Sequence, residues 1–474
     1  MGSTAQQTID ADLYTQKWFK NWKIITVSTI ALILAAVSFY QATHFNANIK
    51  INGVEVGGMS AGKALKKLQT SLLKNDIYLG EKLIVDGKDT KMGFTNDDLP
   101  GIKQHLKDQW SFFPTFKEKE YTLVSGQQDQ YRSETLKTEL EQKLTSMNQS
   151  LTAPVDAHVS LVEGDIVVSK SVDGTQYDVA SIMKEYEKQG YRSEIHLKPT
   201  YLLALNEDSE KVKNEKQKLQ TLLQHTVEYK VQDKVHTLSG SKLIKNATIS
   251  EDLKVSIDPS TINSKITEIN EAQSTLGKDF SFKTHSGSII SVKGQGYGWA
   301  LDVEKEAAQI QAAFENGETT LSASNIQGNG WSGEGYGYET TANNGIGDTY
   351  AEVSIAEQRI WLYKDGKLVL TSNVVTGKRS TGEDTSPGVW YILFKRTPYT
   401  LKGSAVGKAD YSVPVSYWAP FTNSGQGFHD AGWRTNWSST AYLTGGSGGC
   451  INVTPNVMKA VYDNLSVHQP VVVY

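Results

Sequence analysis

One cysteine, Cys450, serves a chain of 474 residues. No internal disulfide can staple any part of it, and every cysteine-based zinc pattern is excluded. Each domain must therefore be held by its own apolar core. A solitary thiol is either an inert core group or a nucleophile. This one stands in Ser447-Gly448-Gly449-Cys450-Ile451-Asn452, just after Gly445 and Gly446. The four glycines free the backbone for positive φ and bare its N–H groups, which favours the nucleophile.

The length predicts about two to four domains. A net charge of −4, with no long basic stretch interleaved with aromatics, argues against a nucleic-acid partner. Ile24 to Tyr40 carries no charge, Gly or Pro, and is long enough to span a bilayer. Lys17, Lys20 and Lys23 precede it, and no basic residue follows until Lys50. That asymmetry predicts a cytoplasmic N-terminus and an external remainder. Trp18, Phe19, Trp22 and Tyr40 suit the two interfaces. A cleaved signal peptide and a buried core helix are the alternatives. The long preceding tail and the lack of a small-x-small site favour a retained anchor. The expected layout begins with a cytoplasmic tail over 1–23 and an anchor over 24–41.

A first α+β domain is expected over 44–204. It opens on a strand turning at Asn52-Gly53, then a helix with Ser60 as N-cap and Ala64, Leu65 and Leu68 on one face. A second is expected over 205–327, because the chain repeats itself. Gly164–Lys170, then Tyr177-Asp178-Val179, then a helix closing at Gly190, is echoed by Gly287–Lys293, Leu301-Asp302-Val303 and a helix closing at Gly317. In each copy an Asp caps the helix and a Gly ends it. Each copy also has an earlier helix, near Glu134–Ser146 and Thr261–Ser274. Residues 328–347 read as a flexible Gly-rich linker carrying Trp331, Tyr336 and Tyr338. From 348 to 474 the period becomes that of strands, with a hairpin at Asp365-Gly366 and one clear helix from Pro455 to Asn464.

A cysteine nucleophile needs a base, something to orient the base, and oxyanion donors. The mostly-β domain holds two histidines. His468 precedes the terminal strand and reads as structural. His429, in a Gly-rich segment, reads as the base, forming a thiolate–imidazolium pair with Cys450. Asp430 or a backbone carbonyl would orient it. The N–H groups of Gly449 and Cys450 would form the oxyanion hole.

These residues carry a resemblance. Tyr350–Ile355, Gln358–Gly366, Val375-Thr376-Gly377-Lys378, Ser386–Trp390, Gly427-Phe428-His429 and Ser447-x-Gly449-Cys450-Ile451-Asn452 resemble the L,D-transpeptidase catalytic domain, the YkuD family. INGVEVGGMS and GQGYGWALDVEKEA resemble the peptidoglycan-binding domains that precede it in Gram-positive bacteria. The arrangement is similar to the membrane-anchored L,D-transpeptidases of enterococci. The family usually has His where this chain has Gly448, which leaves His429 as the sole proton acceptor.

The resemblance implies a β-sandwich cysteine acyltransferase, on the cell membrane and facing the wall, that acts in peptidoglycan biosynthesis. Cys450 would attack the third-residue carbonyl of a donor tetrapeptide and release D-Ala. An acceptor amine would then resolve the thioester into a cross-link, whereas water would give L,D-carboxypeptidase activity. Carbapenems would acylate the same thiol. No metal or organic cofactor is implied. Ser447 and Asn452 would support the cysteine loop. Asn452, Trp433 and Tyr417 are candidates for contacting substrate. A wall-binding protein that has lost catalysis, with Gly448 as its one favouring feature, and a hydrolytic cysteine peptidase are the competing readings.

Overall fold

The computed structural model describes residues 6–474 apart from 110, 112, 127–128, 190–193 and 407. Side chains are described from Trp22 onward apart from those residues and 405, 408 and 409, so Lys17, Trp18, Phe19 and Lys20 lie outside the described residues, as does the expected helix stop Gly190. The chain forms two compact units, Met1–Ala157 with Lys170–Glu207, and His158–Ser169 with Asp208–Tyr474.

The first unit begins with a helix, Gln6–Thr43, whose stretch Trp22–Thr43 is long and apolar enough to cross a membrane. A hairpin turns at Asn52 (φ 51°) and Gly53 (φ 80°), the left-handed pair that a two-residue turn demands. Ser60 does precede the helix Ala61–Thr70, but its hydroxyl makes no capping bond. Farther on, helices Lys137–Asn148 and Val179–Lys188 pack over the strand Ile77–Leu79. That strand pairs antiparallel with Lys82–Val85 and parallel with Ile195–Leu197.

The same topology recurs in the second unit. Thr226–Val231 pairs antiparallel with Lys234–Ser239 and parallel with Thr320–Ser322, and helices Ser260–Gln273 and Val303–Asn316 accompany it. Asp178 and Asp302 cap equivalent helices by accepting from Ser181 N (3.0 Å) and Lys305 N (3.3 Å). Gly317 closes its helix at φ 76°. The repeat is thus one of backbone topology.

One boundary differs from expectation. The hairpin Val159–Val162/Asp165–Val168 leaves the first unit and belongs to the second, so the domain expected over 44–204 is interrupted. The reason is pairing. Leu161 lies opposite Ala247, and Val159 N donates to the buried Glu215 carboxylate at 3.1 Å. The equivalent hairpin of the second copy, Phe280–Lys283/Ile289–Val292, behaves alike toward the C-terminal domain. Phe280, Phe282 and Val292 share a core with Tyr350, Val389, Tyr391 and Val472.

The Gly-rich linker is folded rather than flexible. Gly328 N and Gly330 N donate to Gly333 O and Glu334 O, and Tyr336 N donates to Gly298 O. The Tyr336 ring packs on Tyr391 and His468, and Tyr338 meets Trp299 edge-on.

The C-terminal domain is built on β1 (Tyr350–Ser354), β2 (Arg359–Lys364), β3 (Lys367–Val375), β4 (Gly388–Tyr391), the hairpin β5 (Tyr399–Ala405) and β6 (Lys408–Val415), β7 (Trp418–Pro420), β8 (Gly427–Asp430), β9 (Ile451–Val453) and β10 (Pro470–Val473). Eight of these form one mixed sheet in the order β4-β10-β1-β2-β3-β9-β8-β7. Residues from its two halves, Ala351 and Val471 from one and Ala419 and Phe428 from the other, bury into a single core with Met458 and Val461 of the helix Pro455–Asn464. A flat sheet cannot bring them together, so the sheet curls. The mostly-β expectation holds in the form of a half-barrel. Asp365 and Gly366 turn β2 into β3, both with positive φ.

Candidate active site

Cys450 sits one residue before β9, where three loops meet. Thr385, fully buried, ties them: its hydroxyl accepts from Gly377 N (2.9 Å) and donates to Gly449 O (2.8 Å). Ser447 N donates to Thr376 O, and Lys378 N donates to Ser447 O. Of the four glycines before Cys450, only Gly449 takes positive φ, at 111°. A Cβ there would also stand 2.6 Å from Gln426 Nε2. Gly446 is needed for a different reason, since a Cβ would lie 2.5 Å from the Lys378 backbone.

The sulfur is half-buried against Leu401, Tyr411, Val415 and Trp418. Its S–H donates to Gly425 O at 3.6 Å, and Gly427 N donates to it. These apolar walls push the thiol up to about 11, against a smaller opposing pull from Gly427 N. Such a thiol rests protonated.

His429 lies on β8 beside Asn452 of β9, the two in parallel register. It is buried, and burial lowers its pKa despite the neighbouring Asp430. Its Nδ1 lies 2.9 Å from the Asp430 carbonyl, so Nδ1 carries the proton and Nε2 the lone pair. Asn452 Nδ2 meets that lone pair at 3.0 Å. The Asn452 oxygen accepts from Arg434 Nε (3.2 Å) and Nη2 (2.9 Å), and Arg434 Nη1 donates to Gly445 O (2.7 Å). A chain therefore runs from the cysteine loop through Arg434 and Asn452 to His429.

Several expectations are corrected by this geometry. The thiol faces Gly425 O rather than His429, and burial shifts both groups toward their neutral forms. Asp430 orients His429 through its backbone carbonyl, while its carboxylate accepts from Ser416 N and Tyr417 N. Gly449 N–H is engaged by Ser447 Oγ at 3.1 Å rather than free for an oxyanion. Ser447 Oγ also donates to Cys450 O, so Ser447 acts within the loop. Asn452 is buried between Arg434 and His429 and does not line an open surface. Tyr417 turns away from the site and packs on Tyr462. Its neighbour Trp418, on the opposite side of the strand, approaches His429 at 5.9 Å between ring centroids. Trp433 is exposed and stacks 5.8 Å from His429, at the mouth of the site. Gly448 is exposed.

Arg434, Gln426, Thr385, Tyr411 and the β5–β6 hairpin were not anticipated. Arg434, five residues after His429, offered a readable signal: a lone cation in a Gly- and aromatic-rich segment. Among the described residues, no cluster of three or more His, Cys, Asp or Glu is arranged to hold a metal.

Residues 348–473 match the family model described as the L,D-transpeptidase catalytic domain, YkuD. Residues 208–322 match the model described as "Putative peptidoglycan binding domain". No curated protein matched the chain. Among solved structures, the chain is similar to the Ldtfm–avibactam carbamoyl enzyme at 30% identity, covering 56% of this chain and 98% of that one, with a TM-score of 0.47. It is similar to a cysteine-to-serine mutant of Enterococcus faecium L,D-transpeptidase at 28% identity, covering 55% and 100%, with a TM-score of 0.46. The catalytic domain of E. faecium L,D-transpeptidase is 39% identical, covering 27% of this chain and 97% of its own length, with a TM-score of 0.25. With its catalytic-domain match over 348–473 and a peptidoglycan-binding domain upstream, the chain belongs to the L,D-transpeptidase (YkuD) family.

Proposed function

We propose that the protein cross-links peptidoglycan through a Cys450 thioester. The reading is carried by one observation: the only thiol of the chain stands at the loop that half-buried Arg434 ties to the buried Asn452 and His429. In the reaction, the thiol turns from Gly425 O toward His429, Asn452 Nδ2 gives up the Nε2 lone pair, and Nε2 takes the thiol proton as sulfur attacks the third-residue carbonyl. The C–S bond forms, the C–N bond to D-Ala breaks, and the proton passes from His429 to the departing amine. The Cys450 N–H is the oxyanion donor supplied by the loop. An acceptor amine then attacks the thioester, the C–S bond breaks, and the proton returns to sulfur. Water in place of the amine gives L,D-carboxypeptidase activity.

The anchor reading rests on Trp22–Thr43, which stands outside every core, and on the lysines before it. It puts the catalytic domain outside the cell, facing the wall. The shared topology of the two repeats supports a peptidoglycan-binding role for the first as well as the second. The test is intact mass after exposure to a carbapenem. Wild-type protein gains one adduct and Cys450→Ala none. An unmodified, folded wild type sinks the catalytic reading. Muropeptide analysis with donor and acceptor stems separates transfer from hydrolysis.

A further inference from the structure

A cavity of about 620 Å³ opens beside the thiol. It shares Leu401, Tyr411 and Trp418 with the apolar cluster around Cys450, and Gly425, whose carbonyl holds the S–H, lines it too. Its far wall is not made by the catalytic domain. Asn329, Gly330, Trp331 and Tyr336 of the folded linker supply it. That wall is fixed in place: Tyr391 OH donates to Asn329 O at 3.0 Å, and the Tyr336 ring lies 4.3 Å from Tyr391 and 4.6 Å from His468. Trp331, by contrast, is 98% exposed. An indole so bare, on the rim of an aromatic cavity and held by a rigid turn, is arranged to be covered by a ligand. Lys402 lines the cavity, and no carboxylate does among the described residues. The chamber therefore suits an extended chain with apolar side chains and an anionic group. A peptidoglycan stem peptide has that chemistry.

We propose that Trp331 is a specificity-determining residue: the linker completes a distal subsite in which Trp331 covers the stem peptide of the donor or of the acceptor. This rests on the transpeptidase reading above. It assigns the linker a role in substrate recognition beyond connecting two domains. Because Trp331 is wholly exposed, its replacement leaves the fold intact.

The test uses the full chain in detergent micelles, as wild type, Trp331→Ala and Trp331→Phe. Acyl-enzyme formation from a tetrapeptide donor is followed by mass spectrometry, and transfer against hydrolysis is followed while the acceptor stem is titrated. Carbapenem acylation serves as the control for an intact thiol site. Loss of one aromatic contact predicts a rise of about fivefold in KM for whichever stem the subsite holds. Its kcat stays within about twofold, Trp331→Phe recovers most of the loss, and carbapenem acylation is unchanged. A donor-only rise assigns the donor, and a rise seen only on acceptor titration assigns the acceptor; either supports the proposal. Unchanged KM for both stems, with wild type active, overturns the subsite alone. A wild type that forms no acyl-enzyme with carbapenem or tetrapeptide overturns the transpeptidase reading, and the subsite with it.

Discussion

The resting protonation of Cys450 makes a prediction opposite to the usual picture of a cysteine nucleophile. Raising the pH is the perturbation. A thiol at its ordinary 9.0 is about 1% thiolate at pH 7, whereas one at about 11 is about 0.01%, a hundredfold less. Only the thiolate is alkylated. The iodoacetamide rate should therefore climb about tenfold per pH unit from pH 6 to pH 10 without levelling. The slope is the diagnostic quantity, because steric cover by Leu401, Tyr411 and Trp418 slows the reaction equally at every pH. His429→Ala should leave the slope unchanged, since the thiol rests against Gly425 O and not against His429. A plateau beginning below pH 8 in wild type, abolished in His429→Ala, would refute the reasoning and restore the thiolate–imidazolium pair. Turnover has the opposite dependence on His429. Burial lowers its pKa, so the base stays neutral and competent at pH 7 and fails only as pH falls below the ordinary histidine value of 6.5.

Two further outcomes test the scaffold around the thiol. Arg434→Lys removes the fork that grips Asn452 Oδ1; with that amide unpinned, kcat should fall about tenfold, an energy near one charged hydrogen bond, in a steady-state transfer assay. Neighbouring glycines should separate sharply in thermal melts: Gly448→His, at an exposed position, should change stability by under about 0.5 kcal/mol, whereas Gly449→Ala, forced to φ 111° and onto Gln426, should cost about 2 kcal/mol or more. Equal losses from the two would show that the loop is not set by Gly449.

Much of this was legible in the residues because it rests on local chemistry. Asp365-Gly366 announced a left-handed turn, Asp178 and Asp302 announced helix starts, and Pro455 announced the last helix. The sequence order that brings His429 and Asn452 onto neighbouring strands beside the cysteine loop was less plain than these turns and caps. What stayed hidden depends on through-space partners. Nothing local in Arg434 says that it grips Asn452, eighteen residues away. Nothing in Tyr417-Trp418 says which ring faces the thiol until strand register is known, because one residue of slip exchanges them. The linker misled for a related reason. Its glycines read as freedom, yet Gly328 and Gly335 are there for close approach: a Cβ on either would stand 2.6 Å from Gly335 Cα or 2.4 Å from Gln327 O.

The same through-space logic explains how the catalytic domain is held. The hairpin Phe280–Lys283/Ile289–Val292 meets it at a polar contact as well as an apolar one. Glu352, fully buried on β1, accepts from His285 N at 2.8 Å, lies 2.9 Å from His285 Nδ1, and accepts from the hydroxyl of Tyr474. His285 also stacks 3.6 Å from Trp361. A buried carboxylate is a poor source of net stability, since desolvation offsets most of its attraction, but removing its partners leaves a charge that the interior cannot solvate. Such a contact therefore penalises alternative dockings more than it strengthens the right one. An apolar patch of Phe280, Phe282 and Val292 could slide by a residue on Tyr350 and Val472 at small cost. With Glu352 fixed under His285 it cannot. The linker, separated from this hairpin by the helix Val303–Asn316 and the strand Thr320–Ser322, is held at the cavity by its own contacts, Asn329 O with the Tyr391 hydroxyl and Tyr336 with Tyr391 and His468, so the hairpin and the linker grip the catalytic domain at two separate places.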